Sequence, residues 1–178
     1  HEVQRDRMDE ALGIILRLFT ESEPITYKCD WFELNEALLQ LRPYQKPYMP
    51  VAVASVQTGS GVTLAGKHGA AVLTITVPRD PSAGPTDFRW LWEIAEESAA
   101  EHGQTMNRDD WRLVVPVHLA ESRKEAMDDA RLGAGRYLRE YSEQTNGRAA
   151  VFDGPLEKVI DSMVDRGAWI VGTPDDCI

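Results

Sequence analysis

Apolar positions along this chain change period several times, and each change predicts an element. Over residues 4–20, Met8, Leu12, Ile15 and Phe19 recur at helical spacing with charges opposite them, which predicts an amphipathic helix that ends before Pro24. Ile25 to Tyr27 reads as a short strand. An aromatic step at Trp31 and Phe32 and an apolar cluster at Leu38, Leu39 and Leu41 follow it. Pro43, Pro47 and Pro50 mark an extended linker. Residues 51–56 are a continuous apolar run, 57–61 a small, polar, Gly-rich turn, and 71–77 a second apolar run after a short helix of small residues. That order predicts a βαβ unit.

Further along, Thr86 or Asp87 caps a helix that reaches Gly103 and carries Phe88, Leu91, Ile94, Ala95 and Ser98 on one face. A strand over 112–119 and a helix over 122–145 come next, broken at Asn146-Gly147. Pro155 opens a helix to Arg166, and a last strand spans 168–171. From Val51 the order is β-α-β-α-β-α-α-β. Near-continuous apolar strands alternating with helices imply a parallel sheet under right-handed crossovers. An open doubly wound sheet and a barrel both fit.

The ends of the chain add an expectation. Thr173 suits an N-cap, Pro174 the first helical position, and Asp175 and Asp176 the positive helix end, yet Ile178 is the last residue. Residue 1 is His and a helix begins almost at once. Four parallel strands do not close a barrel, which takes eight strands and about 250 residues. The expectation is a single partial domain over 1–178, with upstream sequence and a final helix missing; the alternative is a small open sheet.

Charge narrows the partners. A net charge of −10 disfavours a nucleic-acid groove or an anionic membrane surface. No apolar run approaches the roughly 20 residues of a membrane span. The two cysteines, Cys29 and Cys177, make no disulfide framework, so a reduced, cytoplasmic setting is expected. The four histidines are scattered, with no HExxH or CxxC, so no metal site is expected.

Candidate chemistry concentrates at Gln57, Thr58, Gly59, Ser60 and Gly61. Backbone N–H groups beside a helix N-terminus point at an anion, and glycine lets the backbone come close. The turn lacks GxxxxGK[ST] and GxGxxG, so it is neither a Walker loop nor a dinucleotide fingerprint. An ordinary βα turn is the other reading of the same residues. His118 is the second candidate. Alternation along 112–119 puts Val114, Pro116 and His118 on one face, and His118 falls at the carboxyl end of its strand, where barrel active sites lie. It would orient a cofactor or a substrate; a histidine capped by backbone at a strand end is the other reading. His68 and His102, before Gly69 and Gly103, read as helix C-terminal caps. Trp90, Trp92 and Trp111 read as packing, and Cys177 as structural.

The segments QRDRMDEALGIILRLF, TYKCDWFELNEALLQLRPYQKP, VAVASVQTGSGVTLAGKHGAAVLTI, DDWRLVVPVHLAESRKEA and GAWIVGTPDDC resemble, in order, the luciferase-like flavin monooxygenases, above all the limonene-type branch. The resemblance includes a hairpin-like insertion around Trp31-Phe32 and the proline linker. It implies the carboxyl-terminal half of a (β/α)8 TIM barrel, from the helix after strand four through strand eight. It also implies reduced FMN, supplied by a flavin reductase, and dioxygen. The flavin phosphate would lie at Gln57, Thr58 and Gly61, with Gly59 and Ser60 between them. Many relatives have a Ser-Pro-x-Gly turn where this chain has Thr58-Gly59-Ser60-Gly61. Alkanesulfonate monooxygenases carry Arg and His at the positions of Val114 and Pro116, so an apolar organic substrate is implied here. A deazaflavin-dependent oxidoreductase and a non-catalytic flavin-binding half-barrel are the alternatives. The half-barrel alone is expected to be inactive and to self-associate.

Overall fold

The computed structural model describes residues 2–55, 58–75, 87–145 and 154–178. The fold is α/β with parallel strands. Its elements are α1 (Glu2–Thr20), β1 (Ile25–Lys28), β2 (Glu33–Ala37), β3 (Ala52–Ala54), α2 (Gly59–His68), β4 (Ala71–Ile75), α3 (Arg89–Glu101), β5 (Arg112–Val114), β6 (Val117–Leu119), α4 (Arg123–Arg136), α5 (Val159–Asp165) and β7 (Ile170–Gly172). Contacts divide the chain into two compact units. The first comprises the chain up to Ala54 with Gly59–Val72 and Leu91–Asp110; the second comprises Ser55–Thr58, Leu73–Trp90 and Trp111–Ile178.

In the first unit α1 forms as its periodicity predicts, but the side chains it buries are Leu12 and Ile14, while Met8 and Ile15 stay exposed. The buried stripe follows what the helix packs against, and the α2 end lies over Gly13, where a Cβ would come within 3.4 Å of His68 Cε1. β1 and β2 form an antiparallel hairpin with Lys28 opposite Glu33. The helices α2 and α3 touch closely: a Cβ on Gly66 would stand 2.3 Å from Ala95 O and 2.9 Å from Ala99 N. In the same seam Ser98, buried, donates from Oγ to Thr63 O at 2.8 Å. Gly69 and Gly103 end α2 and α3 with φ of 62° and 68°, a conformation that favours glycine.

The strand order β3-β4-β5 makes one sheet and β6-β7 another. The β3–β4 bonds, Ala71 N–H to Val51 O and Ser55 N–H to Leu73 O, advance along both strands together, as parallel pairing requires. β4 and β5 pair in parallel, with Ile75 beside Val114, and Trp111 Nε1 donates to buried Thr74 Oγ1 at 2.9 Å. β6 and β7 pair in parallel with His118 beside Val171.

The expected strand over 112–119 is therefore two strands. Pro116 has no N–H to donate, and it separates β5 from β6. Its carbonyl still accepts from Ile170 N–H at 3.0 Å, so the chain passes from one sheet to the other at this residue. The expected helix over 122–145 is also divided. Ser122 caps α4, accepting from Glu125 N–H at 3.2 Å, but Tyr137–Thr145 winds as a π-helix in which the Tyr137 and Tyr141 rings stack at 5.3 Å. The helix expected at Pro155 begins as a 3-10 turn, Leu156–Lys158, and becomes α-helical at Val159. α4, α5 and β7 bury a common core of Ala126, Ala134, Val159, Ile160, Met163, Ala168 and Val171. The turn at 76–86, with Thr86, lies outside the described residues, and Asp87 Oδ1 accepts from Arg89 N–H at the start of α3.

Candidate functional site

The turn after β3 is closed by Ser55, whose Oγ donates to Thr58 O at 3.0 Å. The chain then enters α2 at once, so Gly59, Ser60 and Gly61 form its first turn and Thr58 stands exposed before it. Thr63 Oγ1 bonds back to Gly59 O at 2.9 Å and ties the first turn to the second. A helix start directs N–H groups outward and carries the positive end of the dipole, the arrangement that holds a phosphate. The first turn holds no acidic residue to oppose an anion, and the basic pair Lys67 and His68 sits at the far end. Gln57 lies outside the described residues. A Cβ on Gly59 would come within 2.9 Å of Ile94 Cδ1, so packing is reason enough for glycine there.

His118 is turned toward α4. Its register neighbour Val171 is buried beneath that helix, and His118 Nε2 lies 3.5 Å from Asp129 Oδ2. Val117 and Leu119, on the other face of β6, are exposed. Alternation across a single strand put His118 with Val114 and Pro116. The break at Pro116 places Val114 beside Ile75 in one sheet and His118 beside Val171 in the other. Beyond β7, Asp176 Oδ2 accepts from both Thr173 N–H and Thr173 Oγ1, and these bonds, with Arg123 nearby, hold its carboxyl below the ordinary range. Pro174–Cys177 is a 3-10 turn on which Cys177 is an exposed thiol.

Two clusters in the first unit have no signal in local sequence. Asp9 accepts from Lys67 Nζ at 2.5 Å and from His68 Nε2 at 2.7 Å. Burial pushes the Asp9 carboxyl up, but the hydrogen bonds and charges of Lys67 and His68 outweigh it and leave it below the ordinary range. Glu10 accepts from Tyr27 Oη at 2.6 Å and Trp31 Nε1 at 2.7 Å, and Arg7 lies 5.4 Å from the Trp31 ring centre. Tyr27, then Trp31, holds the Glu10 carboxyl down. A cleft of about 670 Å³ opens between α1, the hairpin and the last turn of α2, but Asp9 and Glu10 already spend their oxygens on protein partners within it. His102 caps α3 as expected, its Nδ1 lying 2.8 Å from Ser98 O. Among the described residues no group of three or more His, Cys, Asp or Glu is placed to hold a metal, and no helix is long and apolar enough to cross a membrane.

Parallel strands alternating with helices define the α/β fold of a partial (β/α)8 barrel. The chain belongs to the luciferase-like monooxygenase family, whose match runs over residues 1–178. It is 42% identical over 174 residues to the 4-hydroxyprotoasukamycin monooxygenase of Streptomyces nodosus subsp. asukaensis, covering 98% of this chain and 47% of that protein. It is 36% identical over 171 residues to the limonene 1,2-monooxygenase of Rhodococcus erythropolis, covering 96% and 42%. The chain thus spans about half the length of the curated relatives it matches. Among solved structures it resembles the monooxygenase RslO1 of Streptomyces bottropensis, with a TM-score of 0.71 at 20% identity over 97% of this chain and 47% of that one. The oxygenating constituent of 3,6-diketocamphane monooxygenase from Pseudomonas putida, solved with FMN, gives 0.68 at 20% identity over 96% and 50%. An F420-dependent secondary alcohol dehydrogenase gives 0.63 at 21% identity over 97% and 49%.

Proposed function

We propose that this chain forms the carboxyl-terminal half of a cytoplasmic monooxygenase barrel that uses reduced FMN and dioxygen on a small apolar organic substrate. The carrying observation is the start of α2. It follows a parallel strand directly, places Gly59, Ser60 and Gly61 in its first turn, and has no carboxylate there. Relatedness to two monooxygenases at 42% and 36% identity supports the reaction class. When bound, the flavin supplies the redox chemistry with dioxygen, and the protein supplies binding, orientation and a dry pocket.

In this reading the N–H groups of the first turn and the Thr58 hydroxyl hold the phosphate, with Gln57 beside them. Leu73, Ile75, Val114, Val117 and Leu119 are exposed on their strands and offer apolar surface to a substrate while excluding water. His118 acts from the face turned to Asp129, and so through the position of β6 rather than on a reacting atom. A flavin reductase supplies the reduced cofactor, and the strands of this half-barrel line too little of the pocket for turnover alone. A deazaflavin is the second reading, favoured by the likeness of fold to an F420-dependent dehydrogenase.

The test is FMN affinity by fluorescence quenching. A valine at Gly61 should block close approach of the phosphate. Thr58→Ala should cost about 0.5–1.5 kcal/mol for one net hydrogen bond, or about twice that to a charged oxygen. If both variants bind like wild type, the phosphate is held elsewhere.

A further inference from the structure

Asp9 is far from the phosphate loop in sequence, yet it grips the helix that loop begins at its other end. Its two carboxylate oxygens divide between consecutive residues, Oδ2 to Lys67 and Oδ1 to His68, in the last turn of α2. The His68 side chain is only 15% exposed, and its ring stands over Gly13 of α1. α3 holds α2 from another side through Gly66 on Ala95 and Ser98 on Thr63. α2 is ten residues long, so its two ends lie about 14 Å apart at 1.5 Å per residue. A rigid rod of that length carries any tilt of its last turn to its first.

We propose that Asp9 is a positioning residue for flavin binding: through Lys67 and His68 it sets where the N-terminus of α2 presents its N–H groups to the phosphate. This rests on the phosphate reading of Thr58 to Gly61. Simple electrostatics predicts the opposite sign. Removing a carboxylate leaves Lys67 and His68 uncompensated, which favours an anion, although screening over about 8–10 Å weakens that pull at the far end of the helix. Positioning predicts weaker phosphate binding on loss of Asp9; the field alone predicts unchanged or tighter binding.

The experiment uses the whole 178-residue chain, labelled with ¹⁵N, titrated separately with FMN and with riboflavin, which lacks the phosphate. The amide shifts of Gly59, Ser60 and Gly61 report binding at the loop. Asp9→Asn should weaken FMN about three- to tenfold, what one net hydrogen bond is worth, and leave riboflavin unchanged. Asp9→Glu should recover part of the loss. His68→Ala, which removes one of the two ties, should fall between wild type and Asp9→Asn. A dispersed amide spectrum shows that each variant is folded. FMN bound by Asp9→Asn as tightly as by wild type, or FMN and riboflavin weakened alike, overturns the proposal. FMN that moves none of these amides in wild type overturns the phosphate reading, and this inference with it. An effect of Gly61→Val without an effect of Asp9→Asn overturns only the role of Asp9.

Discussion

Replacing Gly66 by alanine tests the α2–α3 seam, because two effects of opposite sign meet there. In a solvated helix Gly→Ala is stabilising by about 1 kcal/mol through helix propensity and a stiffer unfolded chain. At Gly66 the added Cβ would sit 2.3 Å from Ala95 O and 2.9 Å from both Ala99 N and Ser98 Cβ. Two of those atoms are backbone in the middle of α3 and cannot turn aside. Relief requires α2 and α3 to separate by about 1 Å, which overpacking data place at roughly 1–3 kcal/mol. The same separation stretches the Ser98 Oγ to Thr63 O bond, worth about 1 kcal/mol net. Propensity offsets only one of these terms, so Gly66→Ala should destabilise by about 1–3 kcal/mol. At about 2–4 °C per kcal/mol for a chain of this size, Tm should fall by roughly 2–12 °C. Gly133 of α4 is the control: it is exposed, and a Cβ there would meet nothing within 4 Å. Gly133→Ala should raise stability by up to about 1 kcal/mol. Urea titration and differential scanning calorimetry read both variants. Stability gained by Gly66→Ala, or equal changes at the two sites, would refute the close packing of α2 on α3.

Two further outcomes follow from single observations. Asp87 is held down to about 2 by the Arg89 side chain and its backbone N–H, so carboxyl NMR should find it titrating there, and Arg89→Ala should return it toward the ordinary value of about 3.9. Because the folded pKa is depressed, the stability from this pair is present above the unfolded value and lost as pH falls through about 2; a carboxyl that titrates normally in wild type rules the pairing out. The exposed strand residues Leu73, Ile75, Val114, Val117 and Leu119 should drive self-association, since uncovered apolar patches of this kind rarely stay in water. Sedimentation should show mass rising with concentration, less so for a Val117→Thr, Leu119→Thr variant, and a monomer at every concentration would count against it.

What the residues determined without help was local. The βαβ unit, the Ser122 cap and the glycines that end α2 and α3 depend on neighbours a few positions away, and periodicity and capping chemistry carry that information. The presence of α2 was legible for the same reason, but its start was not: 57–61 reads as a turn, whereas Gly59, Ser60 and Gly61 form the first turn of the helix. Tertiary structure decided what depends on partners far along the chain. Pro116 ends one ladder and its carbonyl joins another 54 residues on, at Ile170, and that transfer decides which face His118 presents. The face of α1 that is buried follows its packing partners, not its own best apolar stripe. Gly59 reads in sequence as room for an anion, but Ile94 of a later helix already requires it. The grip of Asp9 on Lys67 and His68 spans 58 and 59 residues, and no spacing rule reaches that far, because which charges meet is set by how the helices pack.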